Sequence, residues 1–227
     1  MKFVALIPTY NRPHELGRLL EQLTEAASHL PGSLSTVVLD DGSTPPAACS
    51  TPNVRIIRNP SNMGKQGYWR TINRLANTAR ELQADYVIHL ADDLTLRGPK
   101  ALRSAYFTMR SLGQRAILNL LTDRRGICSQ WTGKQPRRIA GRIWETGWID
   151  GAFMAPARMW RALDRIRPIP SARWRRRPQI SSGVWEQASI RLVRAGWRLC
   201  HHEVGFLQHE DGGDSRMHPS LRASCPL

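Results

Sequence analysis

Two aspartates, Asp92 and Asp93, follow directly on the apolar run Tyr86-Val87-Ile88-His89-Leu90-Ala91. Paired carboxylates at the end of a buried strand are hard oxygen ligands, suited to Mg2+ or Mn2+ on a diphosphate. A second pair, Asp40 and Asp41, closes the run Thr36-Val37-Val38-Leu39 and enters Gly42-Ser43, while Thr9 follows the run Phe3-Val4-Ala5-Leu6-Ile7 and Pro8. Taken singly, each fits a turn or a helix cap. Three strand ends of this kind in one chain point to a site. Neither a G-x-G-x-x-G fingerprint nor a G-x-x-x-x-G-K-[ST] loop occurs, which argues against dinucleotide-binding and P-loop chemistry.

These residues need a frame that gathers strand ends. Residues 3–7, 36–39, 54–57 and 86–91 read as strands. Between them, Leu16, Leu19, Leu20 and Leu23 recur at helical spacing, and Ile72, Leu75, Ala76 and Ala79 mark a second helix over residues 64–82. Strands alternating with helices predict an α/β fold, a mostly parallel central sheet flanked by helices on both faces, whose ligand lies beyond the carboxyl ends of the strands. After residue 113 the pattern loosens. Residues 116–121 read as a strand, 124–142 as a polar excursion without periodicity, and 148–154 as a strand entering a helix at 156–163. A Pro- and Arg-rich loop spans 165–178, a helix covers 183–195, and a strand region over 198–207 precedes a polar tail. No internal repeat or long linker appears, so a single Rossmann-like domain, with an extension in its second half, is expected over residues 1–227.

The segments Ile7-Pro8-Thr9-Tyr10-Asn11-Arg12, Val37-Val38-Leu39-Asp40-Asp41-Gly42-Ser43-Thr44, Asn59-Pro60-Ser61-Asn62-Met63-Gly64-Lys65 and His89-Leu90-Ala91-Asp92-Asp93 occur in this order across residues 1 to 95. As an ordered set they resemble the family 2 glycosyltransferases of the GT-A fold, which move a sugar from a nucleotide-diphosphate donor with inversion. Weaker matches continue at Trp148-Ile149-Asp150-Gly151, Gly183-Val184-Trp185-Glu186 and Gln208-His209-Glu210. The resemblance implies a UDP- or GDP-sugar donor carrying a hexosyl or N-acetylhexosaminyl group. Pro8, Thr9, Tyr10 and Arg12 would line the donor site, and Asp40 or Asp41 would accept a hydrogen bond from the base. An Asx-turn suits whichever of the two does not face it. Asn62 and Gly64 would lie near ribose and diphosphate, with Lys65 or Arg70 as phosphate contacts and Asp92 at the ribose or a metal-bound water. Asp93 would be the metal ligand for Mn2+ or Mg2+, with His209 completing the site and His218 as its competitor. Glu186, opening a helix, is the expected general base; Asp150 is assigned to sugar or acceptor binding, and it competes for the base role.

The charge bears on the acceptor. The 227 residues hold 33 Lys and Arg against 18 Asp and Glu, a net charge of +15, and all but Lys2, Lys65, Lys100 and Lys134 of the basic residues are arginines. Residues 1–113 carry 13 basic and 9 acidic side chains; residues 114–227 carry 20 and 9. The excess therefore sits on the acceptor half, in Arg137, Arg138 and Arg142, in Arg158, Arg161 and Arg165 at helical spacing, and in Arg173-Trp174-Arg175-Arg176-Arg177. Arginines interleaved with an aromatic suit phosphate contact plus base stacking. The expected acceptor is polyanionic: DNA carrying a hydroxymethylated pyrimidine, with Trp174 or Trp131 filling the gap of a flipped base. The alternatives are a glycan or lipid-linked acceptor in cell-surface polysaccharide synthesis, docked on anionic lipid, and a non-catalytic nucleic-acid-binding protein. Scattered cysteines and the lack of a spanning run or signal peptide lead to the expectation of a cytoplasmic protein.

Overall fold

Along strand β1 (Lys2–Thr9), Phe3, Ala5 and Ile7 pack into one core and Val4 and Leu6 into another, all of them buried. A strand apolar on both faces must lie inside a sheet covered on both sides. In the computed structural model, which describes residues 1–121, 136–149, 151–167 and 184–209 apart from the side chains of Lys65, Gln66 and His209, helices supply both covers. Helices α1 (Pro13–Ala27) and α3 (Ala101–Ser111) close one face, while α2 (Gly64–Glu81), α4 (Met159–Leu163) and α5 (Val184–Arg194) close the other.

The strands β2 (Ser33–Asp40), β3 (Val54–Arg58), β4 (Tyr86–His89), β5 (Leu94–Leu96), β6 (Ala116–Asn119), β7 (Arg137–Ala140), β8 (Ile143–Glu145), β9 (Phe153–Pro156), β10 (Arg198–His202) and β11 (Leu207–His209) complete the set. Nine of them form one sheet in the order β3-β2-β1-β4-β9-β6-β10-β8-β7. The block β3-β2-β1-β4 is wholly parallel. Register places Thr9 beside Asp40 and Asp40 beside Arg58, and Leu6 beside His89. The carboxyl ends that carry the candidate site residues thus meet at one edge of the sheet.

Among the described strands of this sheet, only β8 and β9 run against the common direction. Strand β9 is inserted antiparallel between β4 and β6, and β7 and β8 form a hairpin whose first strand lies in the stretch without periodicity and whose second follows it. Arg137 and Arg138 lie on β7 at the sheet margin, where charge discourages further strand pairing. The expected strand region 198–207 divides into β10 and β11, and β11 pairs antiparallel with β5 in a separate ribbon. No helix among the described residues is long and apolar enough to cross a membrane.

Two buried histidines give the fold a pH dependence. His89 is inaccessible to solvent, and burial pushes its pKa down to about 4; His201, nearly inaccessible, is pushed by burial down to about 3. Both are neutral in the folded chain and titrate near pH 6.5 when it unfolds, so the unfolded state takes up protons first as the pH falls. Stability is therefore full above about pH 6.5 and declines towards pH 4, by a few kcal/mol in total. Urea unfolding at pH 7 and pH 5 tests this, and a midpoint that does not fall would contradict it.

Candidate active site

Thr9, at the end of β1, donates its hydroxyl to Asp92 Oδ2 at 2.8 Å. Arg12, three residues on, bridges the two acids, with Nη1 at 3.1 Å from Asp92 Oδ1 and 2.8 Å from Asp93 Oδ2. Asp92 is the inner carboxylate, its side chain 9% exposed, and Asp93 the outer at 24%. Burial raises the Asp92 pKa, opposed by Arg12 and Thr9. Burial acts to lower that of Arg12, but Asp92 and Asp93 outweigh it and hold the guanidinium above its ordinary value. One cation thus serves two adjacent acids and limits the cost of their mutual repulsion.

The second strand end separates the roles of Asp40 and Asp41. Asp40 is inaccessible to solvent: Oδ1 accepts Ser43 N–H at 2.8 Å, Oδ2 accepts Ala47 N–H at 3.0 Å, and Arg58 pairs with it. Burial favours its neutral form, but these hydrogen bonds and Arg58 win and place its pKa below the ordinary carboxylate value. Asp40 therefore builds the turn. Asp41, half-buried, accepts Asn59 Nδ2 at 2.6 Å and Met63 N–H at 3.1 Å, while its own N–H donates to Thr9 O at 2.9 Å. It joins three segments: the end of β1, the turn after β2, and the start of α2. Of the residues that hold these acids, Arg58, the last of β3, has no part in the sequence reading, and Asn59 after it opens the third family segment there without a role.

Gly42 makes this junction possible. Its φ is +82°, and a Cβ there would lie 2.6 Å from Asn62 N and 2.7 Å from Ser61 C. Gly42→Ala should therefore cost about 1–3 kcal/mol and loosen the loop holding Asp41. Denaturant unfolding checks the first effect and nucleotide affinity the second. Across the junction, Asn62 Oδ1 accepts Gly64 N–H, fixing the entry to α2. Tyr10 stands 45% exposed beside it in the β1 loop, and Pro8 precedes the buried Thr9.

Glu186 reaches this end of the sheet through its neighbour. Trp185 packs edge-on against His89 at 4.7 Å and Phe153 at 5.1 Å, at the facing ends of β4 and β9. His89 Nδ1 meets the Gly151 carbonyl, and Ile149 N–H donates to Ser189 Oγ at 3.0 Å. Residues on both sides of position 150 are thus tied to β4 and α5. Glu186 lies half-buried in the first turn of α5, and its carboxylate has no hydrogen-bond or ion-pair partner among the described residues.

The family model for glycosyl transferase family 2 matches residues 4–117, half of the chain and the half that builds these strand ends. The chain belongs to glycosyl transferase family 2. Among solved structures, S. aureus TarS 1-349 in complex with UDP-GlcNAc gives a TM-score of 0.59 at 13% identity, over 100% of this chain and 62% of that one. The mannosyltransferase PcManGT from Pyrobaculum calidifontis, in complex with GDP-Man and Mn2+, gives 0.53 at 14%, over 88% and 56%. This chain spans about 60% of the length of S. aureus TarS 1-349. At such identities the likeness is one of fold, and it agrees with the α/β, GT-A architecture. No curated protein matches the chain.

The remaining family 2 candidates separate in space. Arg70 is exposed and stacks its guanidinium over Trp69 at 5.2 Å, on a groove beside α4. Arg137 pairs with buried Glu145 at 3.0 Å and Arg138 with Glu203 at 2.7 Å; Arg142 is exposed. Asp150, Arg173, Trp174, Arg175, Arg176 and Arg177 lie outside the described residues, as do Trp131, His218 and the side chains of Lys65 and His209. The backbone of His209 pairs with Leu94, the residue after Asp93.

The family implies a divalent metal. No group of three His, Cys, Asp or Glu side chains converges on one point among the described residues. Mg2+, however, is commonly held by one or two carboxylates together with substrate phosphates, and the outer Asp93 and inner Asp92 supply that donor set. The residues fit the metal.

Proposed function

We propose that this family 2 chain is an inverting glycosyltransferase that takes a sugar from a UDP- or GDP-sugar and places it on a hydroxyl of a polyanionic acceptor, DNA bearing a hydroxymethylated pyrimidine. The observation that carries the reading is the Thr9–Asp92–Arg12–Asp93 cluster, with Glu186 tied to the same end of the sheet through Trp185. Asp41 accepts the ring N–H of the base, Tyr10 and Pro8 border the nucleoside, and Asn62 and Gly64 border ribose and diphosphate. Asp93 would hold Mn2+ or Mg2+, which when bound neutralises charge on the departing diphosphate.

Glu186 takes the proton of the acceptor hydroxyl as its oxygen attacks the anomeric carbon from the face opposite the diphosphate. The new carbon–oxygen bond forms as the bond to the phosphate oxygen breaks. The electron pair leaves with the nucleoside diphosphate, and the anomeric configuration inverts. The acceptor half favours a polyanion because most of the excess charge lies there.

The test is a panel of labelled nucleotide sugars with Mn2+ offered to hydroxymethylated DNA, unmodified DNA and a simple glycan, with products weighed by mass spectrometry. A hexose or N-acetylhexosamine mass on hydroxymethylated DNA alone is the expected result. Transfer to the glycan would move the reading to cell-surface polysaccharide synthesis, and no turnover of any donor would leave a binding protein.

A further inference from the structure

On the outer side of the cover formed by α2 and α4, these helices border a groove of about 950 Å3 walled by Trp69, Arg70, Arg74, Arg80, Arg161 and Arg165. The α2 members fall at helical spacing on one face of the helix, while Arg161 lies on α4 and Arg165 in the chain just past its end. Stacking like charges in this way costs stability unless something offsets it. Within the described residues, no carboxylate pairs with any of the five arginines. Arg74 and Arg80 donate to neutral acceptors: Arg58 O and Asn59 Oδ1 at 2.8 and 2.7 Å, and Asn77 Oδ1 and Trp160 O at 2.7 and 3.0 Å. Asp164 is the sole acid in the lining.

The indole of Trp69 organises the cations. Arg70 and Arg165 stack over it with guanidinium carbons 5.2 and 5.8 Å from the ring centroid. Stacking orders two long side chains from opposite walls while their N–H forks stay available for hydrogen bonds. With guanidinium groups over the ring, what the groove offers a ligand is charge and N–H donors more than a stacking face.

We infer that the groove between α2 and α4 is a binding site for the phosphodiester backbone of a nucleic-acid strand. Arginine forks match phosphate oxygens bidentately, and a groove this size walled by five of them holds several phosphates. Concavity, the choice of arginine over lysine, and the lack of an exposed large apolar side chain in the lining favour a strand over a bilayer surface: among the described residues, the exposed large apolar ones, Met1, Tyr10, Phe107 and Val204, all lie elsewhere. The inference rests on the nucleic-acid reading of the acceptor only for its choice of polyanion. It adds a second contact region, formed by different elements from the β7–β8 hairpin.

Fluorescence anisotropy of a labelled single-stranded 20-mer (about two turns of duplex length), titrated across a salt series, tests it with Arg161→Glu/Arg165→Glu and the milder Arg161→Gln/Arg165→Gln. Both positions are exposed and away from Arg74, which anchors Asn59, so each variant can be checked for folding by its thermal melt. Affinity should fall at least tenfold in the Glu variant, and the slope of log affinity on log salt should flatten by roughly 1.4, about 0.7 for each lost phosphate contact. Unchanged affinity and slope in both variants, with wild-type binding intact, would overturn the groove and leave the DNA acceptor standing. Wild-type protein that ignores the oligonucleotide but binds phosphatidylglycerol vesicles would overturn the groove and the DNA reading together.

Discussion

Asp93→Ala is expected to lower sugar transfer about a thousandfold. Asp93 is the more exposed of the two acids that Arg12 bridges, whereas Asp92 is turned inward to Thr9. A nucleoside diphosphate gains negative charge as it departs, and a divalent ion at that point supplies several kcal/mol of stabilisation. Each 1.36 kcal/mol is about a factor of ten in rate, which sets the size of the loss. Donor affinity should also cease to depend on Mn2+ in the variant. Asp92→Asn tests the other half of the assignment: it removes a buried charge that accepts from Thr9 and Arg12, and its effect should register first in the unfolding midpoint. Transfer by Asp93→Ala within tenfold of the wild type, still stimulated by Mn2+, would remove Asp93 from the metal.

Which of Asp40 and Asp41 builds the turn is not visible in the sequence, and for Asp92 and Asp93 the resemblance assigns different roles without saying which carboxylate is the more buried. Adjacent residues at a strand end share composition and position; which one turns inward depends on the neighbouring strand. Arg58 decides for Asp40, because β3 places it directly alongside in register. Periodicity read β2, β1 and β4 well, since strands buried on both faces are continuous apolar runs, and the edge strand β3 showed through its Val54, Ile56 and Ile57. Periodicity carries no information on strand direction, so the antiparallel course of β9 was silent. The β7–β8 hairpin was silent for another reason: an edge strand composed of Arg137, Arg138, Ile139 and Ala140 has no apolar alternation to detect. The groove shows the same limit, because Arg70 and Arg165 are far apart in sequence and meet only through Trp69.

Glu186→Gln is expected to reduce transfer by about 10²–10⁴-fold with donor affinity kept within about twofold. The amide preserves the size of the side chain and its place in the first turn of α5 but cannot take a proton at neutral pH. The fold should tolerate the change, since no described residue depends on the carboxylate for a hydrogen bond or ion pair. Trp185, not Glu186, anchors the helix start, through His89 and Phe153. The kinetic form of the loss is diagnostic: a base acting only in the transition state changes kcat and kcat/KM together, whereas a substrate-binding role would raise KM alone. Asp150 provides the comparison, because the tethers at Ile149 and Gly151 hold its neighbours to the same helix and strand. If Asp150→Asn loses the larger factor in kcat while Glu186→Gln stays within tenfold of the wild type, the base is Asp150.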